Sequence, residues 1–138
     1  MISSRYATAI SIGFVIVAGC SSRGPGAGEA LPPGAAALQE VADLLRAADS
    51  GGRPPSKLAD LDRFKALYLN GYEAVKAGDI VILWGAAMPG EGKMGGSNAA
   101  VAAYEKGVPT AGGYVLLTNG EVKKMTAAEF QSAPKAGK

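Results

Sequence analysis

The feature that most limits how this chain folds is the segment Ala7–Ala18, "ATAISIGFVIVA", which is uncharged, largely apolar and preceded by one cation, Arg5. About a dozen apolar residues fall short of the roughly 20 that a lasting membrane-spanning helix needs, so residues 1–19 read as a secretion signal, removed in the mature protein. Residues 20–34 follow, and from Ser21 they run "SSRGPGAGEALPPG". With little to bury, this stretch reads as a flexible tether with a root-mean-square reach of about 20 Å. The folded part is then expected over residues 35–133, with 134–138 a fraying tail. About 100 residues bury a modest core. The 48% apolar content overstates it, because much of that figure is Ala.

Val17-Ala18-Gly19-Cys20 closes the apolar segment, and it resembles the lipobox of bacterial lipoproteins: a branched aliphatic residue, two small residues, then cysteine. The resemblance implies a diacylglycerol thioether on Cys20, cleavage before it and acylation of the new amino terminus. The residues suit that chemistry. Small side chains let a peptidase approach the backbone, the thiol is the soft nucleophile, and more than one acyl chain gives stable anchoring. Cys20 is the only cysteine, so no disulfide within the chain competes for it. Residues 13–18, "GFVIVA", partly resemble a prepilin cleavage site. That family's acidic residue five places after the glycine is replaced here by Ala18, and its long apolar helix is missing. The expectation is an exported protein anchored by lipid on Cys20 to a bacterial membrane, its domain in the periplasm or at the cell surface.

Charge excludes some partners. Removing Arg5 with the signal leaves 13 basic against 12 acidic side chains, from 14 and 12 in the whole chain. No run of like charge occurs, so neither nucleic acid nor an anionic surface is indicated as an electrostatic partner.

From Ala35 to about Ser50, Leu38, Val41, Leu44, Leu45 and Ala48 fall on one helical stripe, ended by Gly51-Gly52. Pro54-Pro55 forces extended backbone, Ser56 is placed to cap, and Leu58, Leu61 and Tyr68 give a short helical stretch that Asn70-Gly71 breaks. One more turn fits Tyr72–Ala77, stopped at Gly78. Ile80–Trp84, "IVILW", reads as a strand covered on both faces; Ala99–Glu105 fits helix or strand by composition, and the glycine-rich loop before it and the connection Gly107–Gly113 after it favour a strand. Tyr114–Thr118 and Glu121–Met125 flank Asn119-Gly120, a hairpin signal of type I′. Thr126 and Glu129 form a capping box for a last short helix. The fold class expected is α+β: an N-terminal amphipathic helix on a small antiparallel sheet of three to four strands.

The glycine-rich loop "GAAMPGEGKMGGSN", Gly85–Asn98, invites comparison with a phosphate-binding loop through Lys93. Met94 stands where Ser or Thr would hold magnesium, and Gly95-Gly96 follows where a helix should begin, so no nucleotide is expected. The chain has no histidine, which removes the commonest general base near neutral pH and most zinc sites. Asp60-x-Asp62 is too short for a calcium loop, and Ser56-Lys57 are neighbours that do not face each other on a helix. Trp84, Tyr104 and Tyr114 read as core aromatics. No catalytic residue, metal or cofactor is assigned. The role expected is non-catalytic binding or envelope organisation. The alternative is a small envelope hydrolase or ligand carrier using Gly85–Asn98 as a lid, with Glu91 and Lys93 as loop contacts.

The domain's own motifs, Pro55, Ser56, Leu58 and Leu61 after an amphipathic helix and Asn119, Gly120 and Val122 near the end, resemble the globular heads of type II secretion pseudopilins and related pilin-like proteins. The resemblance spans about Leu38–Phe130. It implies a pilin-head-like fold, an interaction role and an envelope or secretion-system protein as partner. Asn119 departs from the family's usual Asp, and the lipid signal stands where the family has the helix through which pilins polymerise.

Overall fold

The computed structural model describes residues 30–49, 52–88 and 99–137. Helix α1 spans Pro33–Ala48. It begins two residues before the periodic stripe suggests, because a proline in the first turn has a helical φ and lacks an N–H that would have no intrahelical partner. Leu38, Val41, Leu44, Leu45 and Ala48 are all buried, and Ala35 and Ala42 widen the stripe. That width matches two neighbours, the sheet on one side and a layer of short helices on the other.

The sheet has four antiparallel strands in the order of the chain, β1 (Ile80–Ile82), β2 (Val101–Glu105), β3 (Gly113–Leu117) and β4 (Val122–Met125). The fold is α+β. Side chains alternate across β3: Leu116 belongs to the core beneath α1, while Val115 and Leu117 belong to a second core on the opposite face. On β2 the alternation is broken by an irregularity, since Val101 pairs with Leu117 but Ala103 with Leu116. The extra residue turns Val101 into the second core and Ala102 and Ala103 into the first, where small side chains lie beneath α1.

The second core is closed by α3 (Val108–Ala111) and α4 (Ala127–Ser132). Helix α3 is a single turn in the short connection between β2 and β3. Tyr104 and Phe130 meet there with ring centroids 4.7 Å apart. The capping box before α4 forms as expected: Glu129 N–H donates to Thr126 Oγ1 at 3.2 Å, and Thr126 N–H to the Glu129 carboxylate at 2.7 Å.

Four local readings need correction. The strand expected over Ile80–Trp84 stops at Ile82 and lies at the sheet edge. Its run is unbroken in apolar residues because Ile80 and Ile82 belong to the same core as Leu116 while Leu83 packs on the second core. The hairpin has a three-residue loop rather than a two-residue one. Leu117 N–H donates to Glu121 C=O (2.9 Å), Gly120 N–H donates to Leu117 C=O (2.8 Å), and Gly120 takes a left-handed φ of +86°.

Asn70-Gly71 does not break a helix; it lies in the first turn of α2 (Leu69–Ala77), preceded by a 3-10 helix over Leu58–Phe64. Nor is all of the tail frayed. Where β1 leaves the sheet, Val101 N–H donates to Pro134 C=O at 2.9 Å and Ala136 N–H to Val101 C=O at 2.8 Å, so Lys135 makes a parallel bridge to β2.

Candidate functional site

Val17, Ala18, Gly19 and Cys20, with Glu91 and Lys93 of the loop, lie outside the described residues. The structure positions the loop's roots. On one side Gly85 N–H donates to Pro55 C=O (3.1 Å), and Ala86 and Met88 are buried in the core. On the other, Ala100 N–H donates to Thr118 Oγ1 (3.1 Å), and Thr118 N–H returns a bond to Ala100 C=O (2.8 Å). Trp84 and Tyr114 are half-buried against the first core and Tyr104 against the second, which agrees with their reading as core aromatics.

The carboxylates of the helical layer are engaged in holding elements together. Asp60 accepts from Ser56 N–H (2.8 Å), Ser56 Oγ (3.0 Å) and Lys57 N–H (3.2 Å). Ser56 is therefore not the cap expected of it: its hydroxyl donates, and Asp60 reaches back as the acceptor. The Ser56 backbone N–H is the main reason the Asp60 carboxyl lies below its ordinary pKa, with the Ser56 hydroxyl and Lys57 adding to the effect. Glu129 is lowered in the same way, by the backbone N–H and then the hydroxyl of Thr126. Both shifts hold the groups as anions, opposite to what a general acid working near neutral pH requires. Tyr72 donates its hydroxyl to Asp62, and that bond is the first cause of its raised pKa.

Glu40 lies on α1 outside the buried stripe. Its two oxygens accept from Asn70 Nδ2 (2.8 Å) and Gly71 N–H (2.9 Å), so a side chain of one helix satisfies first-turn donors of another. No local pattern marks such a cap, since Glu40 and Gly71 are 31 positions apart. Glu105, at the end of β2, accepts from Tyr114 N–H (2.6 Å) and lies against Gly34 in the first turn of α1.

Two open clefts flank this layer. One of about 580 Å³ lies between the end of α1 and the 3-10 helix, lined by Arg53, Pro54, Asp60, Asp62 and Arg63. The other, about 440 Å³, lies at the start of α1 beside Gly34, Asp79, Glu105 and Lys106. Among the described residues no group of three or more His, Cys, Asp or Glu side chains is placed to hold a metal ion. Likewise no helix among them is long and apolar enough to cross a membrane. Comparison with protein-family models, with curated proteins and with solved structures found no match.

Proposed function

We propose that the chain is an exported lipoprotein, held at a bacterial membrane by acyl chains on Cys20, whose α+β domain serves a binding or structural role in the envelope. The observation that carries this reading is Val17-Ala18-Gly19-Cys20 at the end of the apolar segment, in a chain with no other cysteine. The domain supports the non-catalytic part of the reading. Asp60, Asp62, Glu40 and Glu129 each accept hydrogen bonds that cap a helix or join two elements, an arrangement that serves rigidity.

The likeness to pilin-type heads is supported by a helix laid across an antiparallel meander, by Leu58 and Leu61 packed in the core after Pro54-Pro55, and by the late Asn119-Gly120 hairpin. A secretion or pilus assembly is the partner this likeness proposes.

The test is intact-mass measurement of protein extracted from membranes of a bacterial host, beside a Cys20→Ala variant. The expected mass lacks residues 1–19 and carries acyl chains, and the variant leaves the membrane fraction. Unmodified Cys20 with residues 1–19 retained refutes the anchor.

A further inference from the structure

Three large apolar side chains are exposed among the described residues: Leu31 (54%), Leu67 (73%) and Leu69 (54%). Leu67 and Leu69 flank the half-buried Tyr68 where the turn after the 3-10 helix enters α2, Leu69 being the first residue of that helix. This turn is held firmly. Leu67 N–H donates to Phe64 C=O (3.0 Å) and Tyr72 N–H to Tyr68 C=O (3.0 Å), while Glu40 fixes Asn70 and Gly71 immediately after it. Phe64 and Tyr68 pack their inner sides on the core beneath α1. Two leucines are thus presented outward on a rigid support, where burial of each in an apolar medium is favourable.

We propose that the Leu67-Tyr68-Leu69 turn is a membrane-contact surface whose leucines enter the lipid interface; this rests on the lipid anchor at Cys20 proposed above. The length of chain between anchor and domain argues for lipid as the occupant. Cys20 and Leu31 are 11 positions apart, a span of up to about 36–40 Å when extended. Glu40, which holds Asn70 beside the leucines, is seven positions along α1 from Pro33, or about 10 Å by helical rise. An anchored domain therefore has the turn within reach of the bilayer. Leu31, the third exposed leucine, stands on the segment leading back to Cys20. Tyr68 offers the apolar body and polar tip suited to that interface, and Lys65 beside it has a stem that can lie along the apolar side with its ammonium in water.

The cysteine inventory supplies the test, because a thioether on Cys20 leaves an introduced cysteine as the only thiol. Full-length protein carrying Leu67→Cys, Leu69→Cys or, as a control, Ala128→Cys is purified from membranes. Each is labelled with a polarity-sensitive fluorophore and reconstituted in phosphatidylethanolamine–phosphatidylglycerol vesicles with or without brominated acyl chains. Ala128 is exposed on α4, which closes the opposite face of the sheet. The expected result is blue-shifted emission quenched by bromine at positions 67 and 69, with neither effect at 128.

Unquenched, water-like labels at 67 and 69 on protein that still floats with the vesicles overturn the contact and leave the anchor standing. A blue shift that follows protein density and ignores bromine assigns the leucines to a second copy of the chain, which also overturns it. Labelling of Cys20 together with loss of flotation removes the anchor, and the contact with it.

Discussion

Substituting Gly71 by alanine tests the close packing of α2 on α1, because two effects of opposite sign meet at one atom. At an unobstructed helical position this change stabilises by up to about 1 kcal/mol, since glycine has more backbone freedom to lose. Here the added Cβ would lie 2.9 Å from Glu40 Cβ, 3.0 Å from Val41 N and 3.1 Å from the Glu40 carbonyl carbon. Two of those atoms are backbone and the third is the root of its side chain, so no flexible group can yield. The helices must part by several tenths of an ångström, which stretches the bonds from Asn70 and Gly71 to Glu40. Overpacking of this kind costs about 1–3 kcal/mol, outweighing the propensity gain and leaving Gly71→Ala destabilised by about 1–2 kcal/mol. Urea unfolding followed by circular dichroism should show a midpoint lower by about 1 M for a domain of this size. Gly107→Ala is the control, because its Cβ meets nothing within 4 Å and its φ of −78° suits any residue; it should stay within about 0.5 kcal/mol. A Gly71→Ala protein more stable than the wild type refutes the argument, since only an open helix surface gives that sign.

Two other outcomes follow from burial and charge. Leu45→Ala, at a core side chain of α1 that is 1% exposed, should cost about 2–5 kcal/mol, whereas Leu67→Ala, at 73% exposure, should stay within about 0.5 kcal/mol; thermal melts of both variants check the pair. The folded state lowers the pKa of Asp60 and Glu129, so their stabilisation is present above the unfolded value and is lost as pH falls through the folded one, below roughly pH 4. Asp60→Asn should therefore melt lower than the wild type at pH 7 and converge with it in acid; melting curves that stay parallel across that range contradict the assignment.

The parts of the fold legible from sequence are those in which one residue's environment is set by near neighbours. The stripe from Leu38 to Ala48 and the Thr126–Glu129 capping box depend on spacings within one or two turns, and both are present in the structure. The helix through Asn70-Gly71 was hidden because its first-turn donors are satisfied from α1, and an Asn-Gly pair signals a break when only the local chain is considered. The tail gave no signal for a related reason. Its partner, Val101, is exposed to a new hydrogen-bonding neighbour only because β1 stops after three residues. Of the candidate site, the sequence supplied Cys20, Glu91 and Lys93, which lie outside the described residues. The exposed Leu67 and Leu69 could not be told apart from buried leucines without the packing of their neighbours.

The bridge between Val101 and Lys135 has a bearing on when the sheet can form. A polypeptide is made from its amino terminus, and contacts between distant positions wait until the later partner is free. Until residues 134–136 emerge, the outer N–H and C=O of Val101 have no partner in the sheet, and β2 remains unfinished at the end where the glycine-rich loop returns. The end of β2 is therefore completed last, by residues that follow all four strands in the chain.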